Sequence, residues 1–182
     1  MSDIVLLSGS PAVHSGSARL LDVSKSILDK KGYTTTKISI TDMPLEDLFY
    51  GRSMSPAFTD FFKNVGRAKG IIISTPVYKA SYPGVLKLLF DICPMDVFKG
   101  KTVLPIMTGG TPVHLLALEY ALKPLISLLK GNTLDGVYVT DDQLDKQKEN
   151  PIIDQEISKR IQVQVAELCE LIQHKVINQH HG

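Results

Sequence analysis

Three short loops of this 182-residue chain concentrate the residue types able to do chemistry. The first, residues 8–17, reads Ser8-Gly9-Ser10-Pro11-Ala12-Val13-His14-Ser15-Gly16-Ser17. It joins an apolar run (Ile4, Val5, Leu6, Leu7) to a helical repeat of Leu20, Leu21, Ser24, Ile27 and Leu28. Such a strand-to-helix junction gathers backbone amides, hydroxyls and the positive end of a helix dipole, a donor set that suits a phosphate dianion. Ser15 or Ser17 would also serve as an ordinary helix cap, with the glycines making the turn. Four serines and two glycines exceed what a cap requires, and Arg19 in the first helical turn can add charge. Neither G-x-G-x-x-G nor G-x-x-x-x-G-K-[ST] occurs here, so the loop points to a mononucleotide phosphate.

The second loop, residues 75–84, reads Thr75-Pro76-Val77-Tyr78-Lys79-Ala80-Ser81-Tyr82-Pro83-Gly84 and leaves the apolar run Ile71-Ile72-Ile73. Pro76 and Pro83 restrict their own φ and the residues before them, while Gly84 permits close backbone approach. The loop would be stiff and would present Tyr78 and Lys79 to a flat, charged partner; a plain proline-rich connection has the same composition. The third loop, Thr108-Gly109-Gly110-Thr111-Pro112, offers bare backbone amides, or else a tight turn needing glycine at positive φ.

The helical pattern after it (Leu115, Leu118, Leu122, Leu125, Ile126, Leu129) runs straight through Pro124. Proline cannot donate to the carbonyl of Tyr120 and its ring collides with it, at a typical cost of ~3 kcal/mol or more. A kink or a single π-turn at Tyr120 relieves the conflict. His114, near the start of this helix, reads as a capping or loop residue.

The elements that must position these loops follow from hydrophobic periodicity. Continuous apolar runs at 4–7, 70–75 and 102–107 read as strands covered on both faces. Pro105 is awkward within the last of them. The β-branched stretch 34–40, of mixed polarity, reads as a strand at the sheet edge, and 134–139 as a fifth strand. Gly32 closes the first helix. Residues 42–52 read as irregular with a short turn at 45–48. Ser55-Pro56 starts a helix with Phe58, Phe61, Phe62 and Val65 on its apolar face. The acidic group Asp141-Asp142 could serve a site or belong to a solvated loop, and the polar stretch 143–150 reads as mobile. From Pro151 a long amphipathic helix runs to about Val176, leaving 175–182, with its terminal His180-His181-Gly182, as a frayed tail.

Bulk properties fit one domain spanning residues 1–182. The chain is 43% apolar and 21% charged with a formal net charge of +1, an ordinary globular composition that gives nucleic-acid binding no support. No apolar run approaches bilayer-spanning length, and the start Met1-Ser2-Asp3 lacks a basic leader, so a cytoplasmic protein is expected. Cys93 and Cys169, far apart in helical patterns, read as buried thiols of a reducing compartment; no metal site is expected.

Five strands alternating with helices predict an α/β fold: a flavodoxin-like three-layer sandwich with a five-stranded parallel sheet of order 2-1-3-4-5. In that order the loops after strands one, three and four line one end of the sheet, where FMN binds in such folds. Residues 75–81, 104–111 and 119–124, with Gly9-Ser10-Pro11, Ser15 and Ser17, resemble the NAD(P)H-dependent FMN reductases of two-component alkanesulfonate monooxygenase systems. The likeness extends to about Asp142.

The resemblance implies FMN and NADPH, or NADH, as cofactors. Ser10, Ser15 and Ser17 would bind the flavin phosphate, Pro76, Val77, Tyr78 and Lys79 would lie along the ring, and Gly109, Gly110 and Thr111 would meet its polar edge. It also places Tyr120 in a π-helix at a tetramer interface, with flavin released as a substrate to an FMNH2-dependent monooxygenase partner. A homodimer is the smaller assembly consistent with it. The chain departs from the resemblance at Ala12, where related loops often carry arginine. No side chain need act as acid or base, since hydride passes from nicotinamide to flavin. Three alternatives share the fold: a prosthetic-FMN quinone or azo reductase, a flavodoxin-like electron carrier without the usual strong acidity, and a regulatory binding module.

Overall fold

The computed structural model of the chain describes residues 3–179, with side chains as far as residue 174. Its strands are β1 (Ile4–Ser8), β2 (Thr35–Ser39), β3 (Gly70–Pro76), β4 (Thr102–Gly109), β5 (Asn132–Thr133) and β6 (Val137–Thr140). The helices between and after them are α1 (Gly16–Lys30), α2 (Leu45–Tyr50), α3 (Pro56–Arg67), α4 (Gly84–Ile92), α5 (Lys123–Leu128) and α6 (Gln155–Gln179). All pairings are parallel, in the order β2-β1-β3-β4, and both β5 and β6 pair with β4.

The continuous apolar runs are explained by burial on both faces. Along β1, β3 and β4 successive side chains point to opposite sides. Val5, Leu7, Ile71, Ile73, Val103 and Met107 face a layer holding Phe58, Phe61, Leu86, Leu89, Leu122 and Ile126. Ile4, Leu6, Ile72, Leu104 and Ile106 face Leu20, Leu21 and Leu28 of α1 and Ile161, Val165 and Leu168 of α6. Helices on both faces of a parallel sheet complete the expected three layers.

β2 pairs with β1 alone among the described strands and lies at the edge, as its mixed polarity predicts. Within residues 42–52, expected to be irregular with a short turn at 45–48, Leu45–Tyr50 form the short helix α2, which ends where Gly51 adopts φ 67°. Ser55 stands at the start of α3 but makes no side-chain cap, and its buried hydroxyl has no partner among the described residues.

The expected fifth strand divides in two. β5 pairs with Thr102 and Val103, and β6 resumes opposite Ile106. The gap faces Pro105, which has no N–H to give to a neighbouring strand. Gly136, at φ 78°, fills the gap; a Cβ there would lie 2.6 Å from the Pro105 carbonyl oxygen. Its own amide donates instead to Gln164 Oε1 of α6 at 2.9 Å.

At Pro124 the helix does what its chemistry demands. Residues Leu118–Leu122 form a π-turn in which the Lys123 amide donates to the Leu118 carbonyl, five residues back, and α5 continues from there. The expected frayed tail falls partly outside the described residues; the backbone of 175–179 continues α6, and 180–182 are not described. No helix among the described residues is long and apolar enough to cross a membrane. Cys93 and Cys169 are both free and buried, and burial pushes the Cys93 thiol up to about 12.

Candidate active site

Three hydrogen bonds draw the chemically distinctive loops to one end of the sheet. The Gly9 amide donates to the Ser74 carbonyl at 2.9 Å, and the buried Ser74 hydroxyl donates to the Ser17 carbonyl at 2.8 Å. The Val77 amide donates to the Thr108 carbonyl at 2.7 Å. The start of α1, the end of β3 and the end of β4 are thereby locked together. Gly9 is required for this approach, since a Cβ there would lie 2.5 Å from Leu86 Cδ2 and 2.8 Å from Thr75 Oγ1.

Between the loops lies a cleft of about 260 Å³ lined by Ala12, His14, Ser15, Gly16, Pro76, Val77, Tyr78, Thr108, Gly109, Gly110, Asp141 and Lys146. Its first wall is the N-terminus of α1. Ser15 caps the helix, its Oγ accepting from the Ala18 amide at 3.1 Å and standing 3.0 Å from Ser17 Oγ. Helix geometry leaves the first-turn amide of Gly16, which lines the cleft, without an intrahelical carbonyl, so it adds to the donors at this wall. Ser15 thus caps the helix and at the same time lines the cleft.

Ser10 and Ser17 are placed differently from expectation. Both are buried, and neither lines the cleft. Ser10 Oγ donates to the Ala12 carbonyl at 3.0 Å and accepts from the Ala12 amide at 3.1 Å, which folds the loop onto itself. Arg19 also turns away: its Nη2 donates to the carbonyls of Lys148 at 2.5 Å and Glu149 at 3.0 Å.

The second wall is Pro76, Val77 and the half-exposed Tyr78. Beyond it, Tyr78 and Ser81 exchange backbone hydrogen bonds of 2.7 and 3.2 Å around Lys79 and Ala80, whose φ values are 51° and 64°. Two central residues at positive φ define a type I′ turn, usually made with Asn-Gly. Here two residues with side chains occupy it, each at a cost of roughly 1–2 kcal/mol. Lys79 is exposed and does not line the cleft. The close approach expected at Gly84 is not made, since a Cβ there would meet nothing within 4 Å.

Gly109 and Gly110 form the floor. Neither has positive φ, so the turn expected to need it is not what selects glycine. At Gly109 a Cβ would collide with the Tyr138 hydroxyl, which donates to the Thr111 carbonyl at 2.6 Å. Burial first, and then the Asp141 charge, hold that hydroxyl above its ordinary pKa, so it remains a proton donor. Thr111 is exposed and serves this bond through its carbonyl; its side chain does not line the cleft.

His14, Thr108 and Lys146 join the cleft without having been singled out from the sequence. Asp141, for which the sequence left both a site role and a solvated loop open, lines it too. Asp141 directly follows β6, so its place at a strand end was available to inspection. Lys146 had no local signal. The stretch carrying it is not a loose loop: the Asp145 amide donates to the Pro151 carbonyl at 2.7 Å, and Leu144 is buried. A larger depression of about 460 Å³ lies between α1 and the start of α6, lined by residues including Asp22, Lys30, Glu149 and Gln162. Glu149 and Asn150 come from the loop after β6, and the loops after β1, β3 and β4 do not line it.

Parallel order 2-1-3-4-5, a phosphate-type donor set at the first loop and a slot walled by the next two define a flavodoxin-like protein suited to a mononucleotide with a flat ring. Residues 2–145 match the family described as NADPH-dependent FMN reductase, and the chain belongs to that family. It is 44% identical over 142 residues to the FMN reductase (NADPH) of Pseudomonas putida, covering 78% of this chain and 72% of the relative. The corresponding Escherichia coli enzyme is 42% identical over 142 residues, covering 78% and 74%. A solved NADH:FMN oxidoreductase in its apo form superposes with a TM-score of 0.82 at 27% identity, covering 92% of this chain and 88% of that one. The protein is thus an NAD(P)H:FMN oxidoreductase, with FMN and a nicotinamide nucleotide as its cofactors.

Proposed function

We propose that the protein uses this cleft to reduce FMN with a nicotinamide nucleotide and supplies the reduced flavin to an FMNH2-dependent monooxygenase, in sulfur assimilation from sulfonates. The observation that carries the proposal is the convergence of Ala12, residues 14–16, 76–78 and 108–110 on one cleft at the carboxyl end of the parallel sheet. Flavin, when bound, supplies the chemistry by taking a hydride from the nicotinamide ring. The chain's own residues bind, orient and exclude water. Ser15 and the first-turn amides of α1 hold phosphate, while Ser10 and Ser17 act one step removed by shaping that loop. Pro76, Val77 and Tyr78 form the wall for the ring, and the backbone at Gly109 and Gly110 stabilises negative charge along its polar edge. Lys79 and Thr111 belong to the rim.

The same reading covers assembly and location. Tyr120 is 78% exposed on the π-turn, and Val113, Leu116 and Leu128 in the flanking segments are exposed as well, which supports a homotetramer built through this segment. Two free, buried thiols suit the reducing cytoplasm. The packing of α6 against α1 and β4 supports one domain over the whole chain.

The test is NADPH and NADH oxidation by desalted protein, with and without FMN, after its visible spectrum is recorded. Colourless protein whose turnover requires added FMN is the expected result. Yellow protein that turns over only with a quinone or azo dye would make FMN a prosthetic group, and no oxidation at all would leave an electron carrier or binding module.

A further inference from the structure

The phosphate end of the cleft is short of positive charge. From Ser8 to Ala18 the chain has no lysine or arginine. Arg19, the next cation, spends its guanidinium on the carbonyls of Lys148 and Glu149 and stands 3.7 Å from Asp22. What Arg19 holds is the loop that brings another cation back. Lys146 lines the cleft beside Ala12, His14, Ser15 and Gly16, and a Cβ on Gly16 would lie 3.3 Å from its Cε. The same glycine would meet Leu144 Cδ1 at 3.0 Å, so the loop is seated directly on the first turn of α1. Lys146 Nζ is 3.4 Å from Asp141 Oδ1, and the two side chains are 48% and 54% exposed. An exposed pair of this kind is weak, which leaves the ammonium free to turn to a stronger anion. Lys146 also lies just beyond residue 145, where the match to the family ends.

We propose that Lys146 is the cation that recognises the phosphate monoester of FMN, and that Arg19 is a positioning residue acting through the backbone carbonyls of Lys148 and Glu149. The proposal rests on the FMN reductase reading. It adds the charge that the first loop lacks, supplied by a segment some 130 residues away. The ammonium and the first-turn amides of α1 then bind the same dianion from two elements, and a charge-assisted contact of this type is among the stronger ones available.

Fluorescence titration of desalted protein with FMN and with riboflavin, which lacks the phosphate, separates phosphate recognition from ring binding. Lys146→Gln is expected to weaken FMN about tenfold and riboflavin less than about twofold, an order set by a single charge-assisted contact. Arg19→Gln should lower the FMN-to-riboflavin preference in the same direction, and Arg19→Lys should restore part of it. Because both residues act through one contact, the double variant should fall little further than Lys146→Gln alone. Equal weakening of both flavins, or of neither, would overturn the role of Lys146. A rise in KM for NADPH but not for NADH, with FMN affinity unchanged, would also overturn it, by assigning the cation to the nicotinamide nucleotide's 2′-phosphate. Wild-type protein that bound neither flavin would instead sink the underlying reading of the cleft.

Discussion

Gly109 and Gly110 stand side by side in the floor of the cleft, yet their neighbours give them different duties. A methyl group at Gly109 drives into the Tyr138 hydroxyl, whereas at Gly110 the nearest atom is Asp141 Oδ2 at 3.9 Å. Gly109→Ala is therefore expected to cost about 1–3 kcal/mol of stability by overpacking and to weaken FMN binding as Tyr138 lets go of Thr111. Gly110→Ala should change stability by no more than about 0.5 kcal/mol, and thermal melts with flavin titration check both. Ala80 offers the opposite case. Its φ of 64° carries strain that glycine removes. Relief of roughly 1–2 kcal/mol outweighs the roughly 0.4–1 kcal/mol that glycine costs through unfolded-chain entropy. Ala80→Gly should thus raise the denaturation midpoint, and Ala80→Val should lower it.

Among the elements, two prolines disturb regular structure, and each disturbance has a compensating partner. Pro105 breaks the β4 ladder, and Gln164 of α6 accepts the Gly136 amide that the gap leaves behind. Gln164→Leu would keep the volume and strip the acceptor, so a loss of about 1–3 kcal/mol is expected for an unsatisfied buried amide, measurable by urea denaturation. Pro124 sets the π-turn that carries Tyr120. Pro124→Ala supplies the missing N–H to the Tyr120 carbonyl and lets the segment close as ordinary α-helix. If the π-turn builds the assembly, sedimentation should then show a smaller particle with the fold, judged by circular dichroism, retained.

At the scale of the whole molecule, Asp3 ties the entrance of β1 to those of its neighbours β2 and β3. Its carboxylate accepts from the Thr34 amide at 3.2 Å and the Thr34 hydroxyl at 2.8 Å, with Lys69 Nζ at 3.5 Å. Burial alone would raise its pKa; the Thr34 hydrogen bonds and the Lys69 charge outweigh that and hold it below the ordinary 3.8. A carboxyl depressed in the folded state contributes stability above its unfolded value and loses it as pH falls through the folded one. Asp3→Asn should accordingly lower the melting temperature at neutral pH. The difference from wild type should shrink as pH falls below 3.8 and vanish once the folded carboxyl is protonated, a profile that melts across the acid range would trace.

Much of this architecture is written in local pattern. The apolar run 4–7 and the isoleucine-rich run 70–75 had to be strands covered on both sides, because such segments have no polar face to leave in water. A proline four residues after Tyr120 had to distort its helix there, because the missing amide and the ring act on a fixed neighbour. The serine- and glycine-rich loops likewise marked strand-to-helix junctions, and the three that were singled out meet at one end of the sheet.

Tertiary structure decided which side chains of those loops face the cleft. Ser15 lines it while Ser10 and Ser17 turn inward, a choice set by the Ser74–Ser17 bond and by Ser10 closing on Ala12. Arg19 leaves the site for carbonyls 129 and 130 residues away, and Lys146 enters it from the same distant loop. Periodicity reports only whether a residue is covered. Which partner covers it, and from how far along the chain, depends on packing between elements that no local window contains.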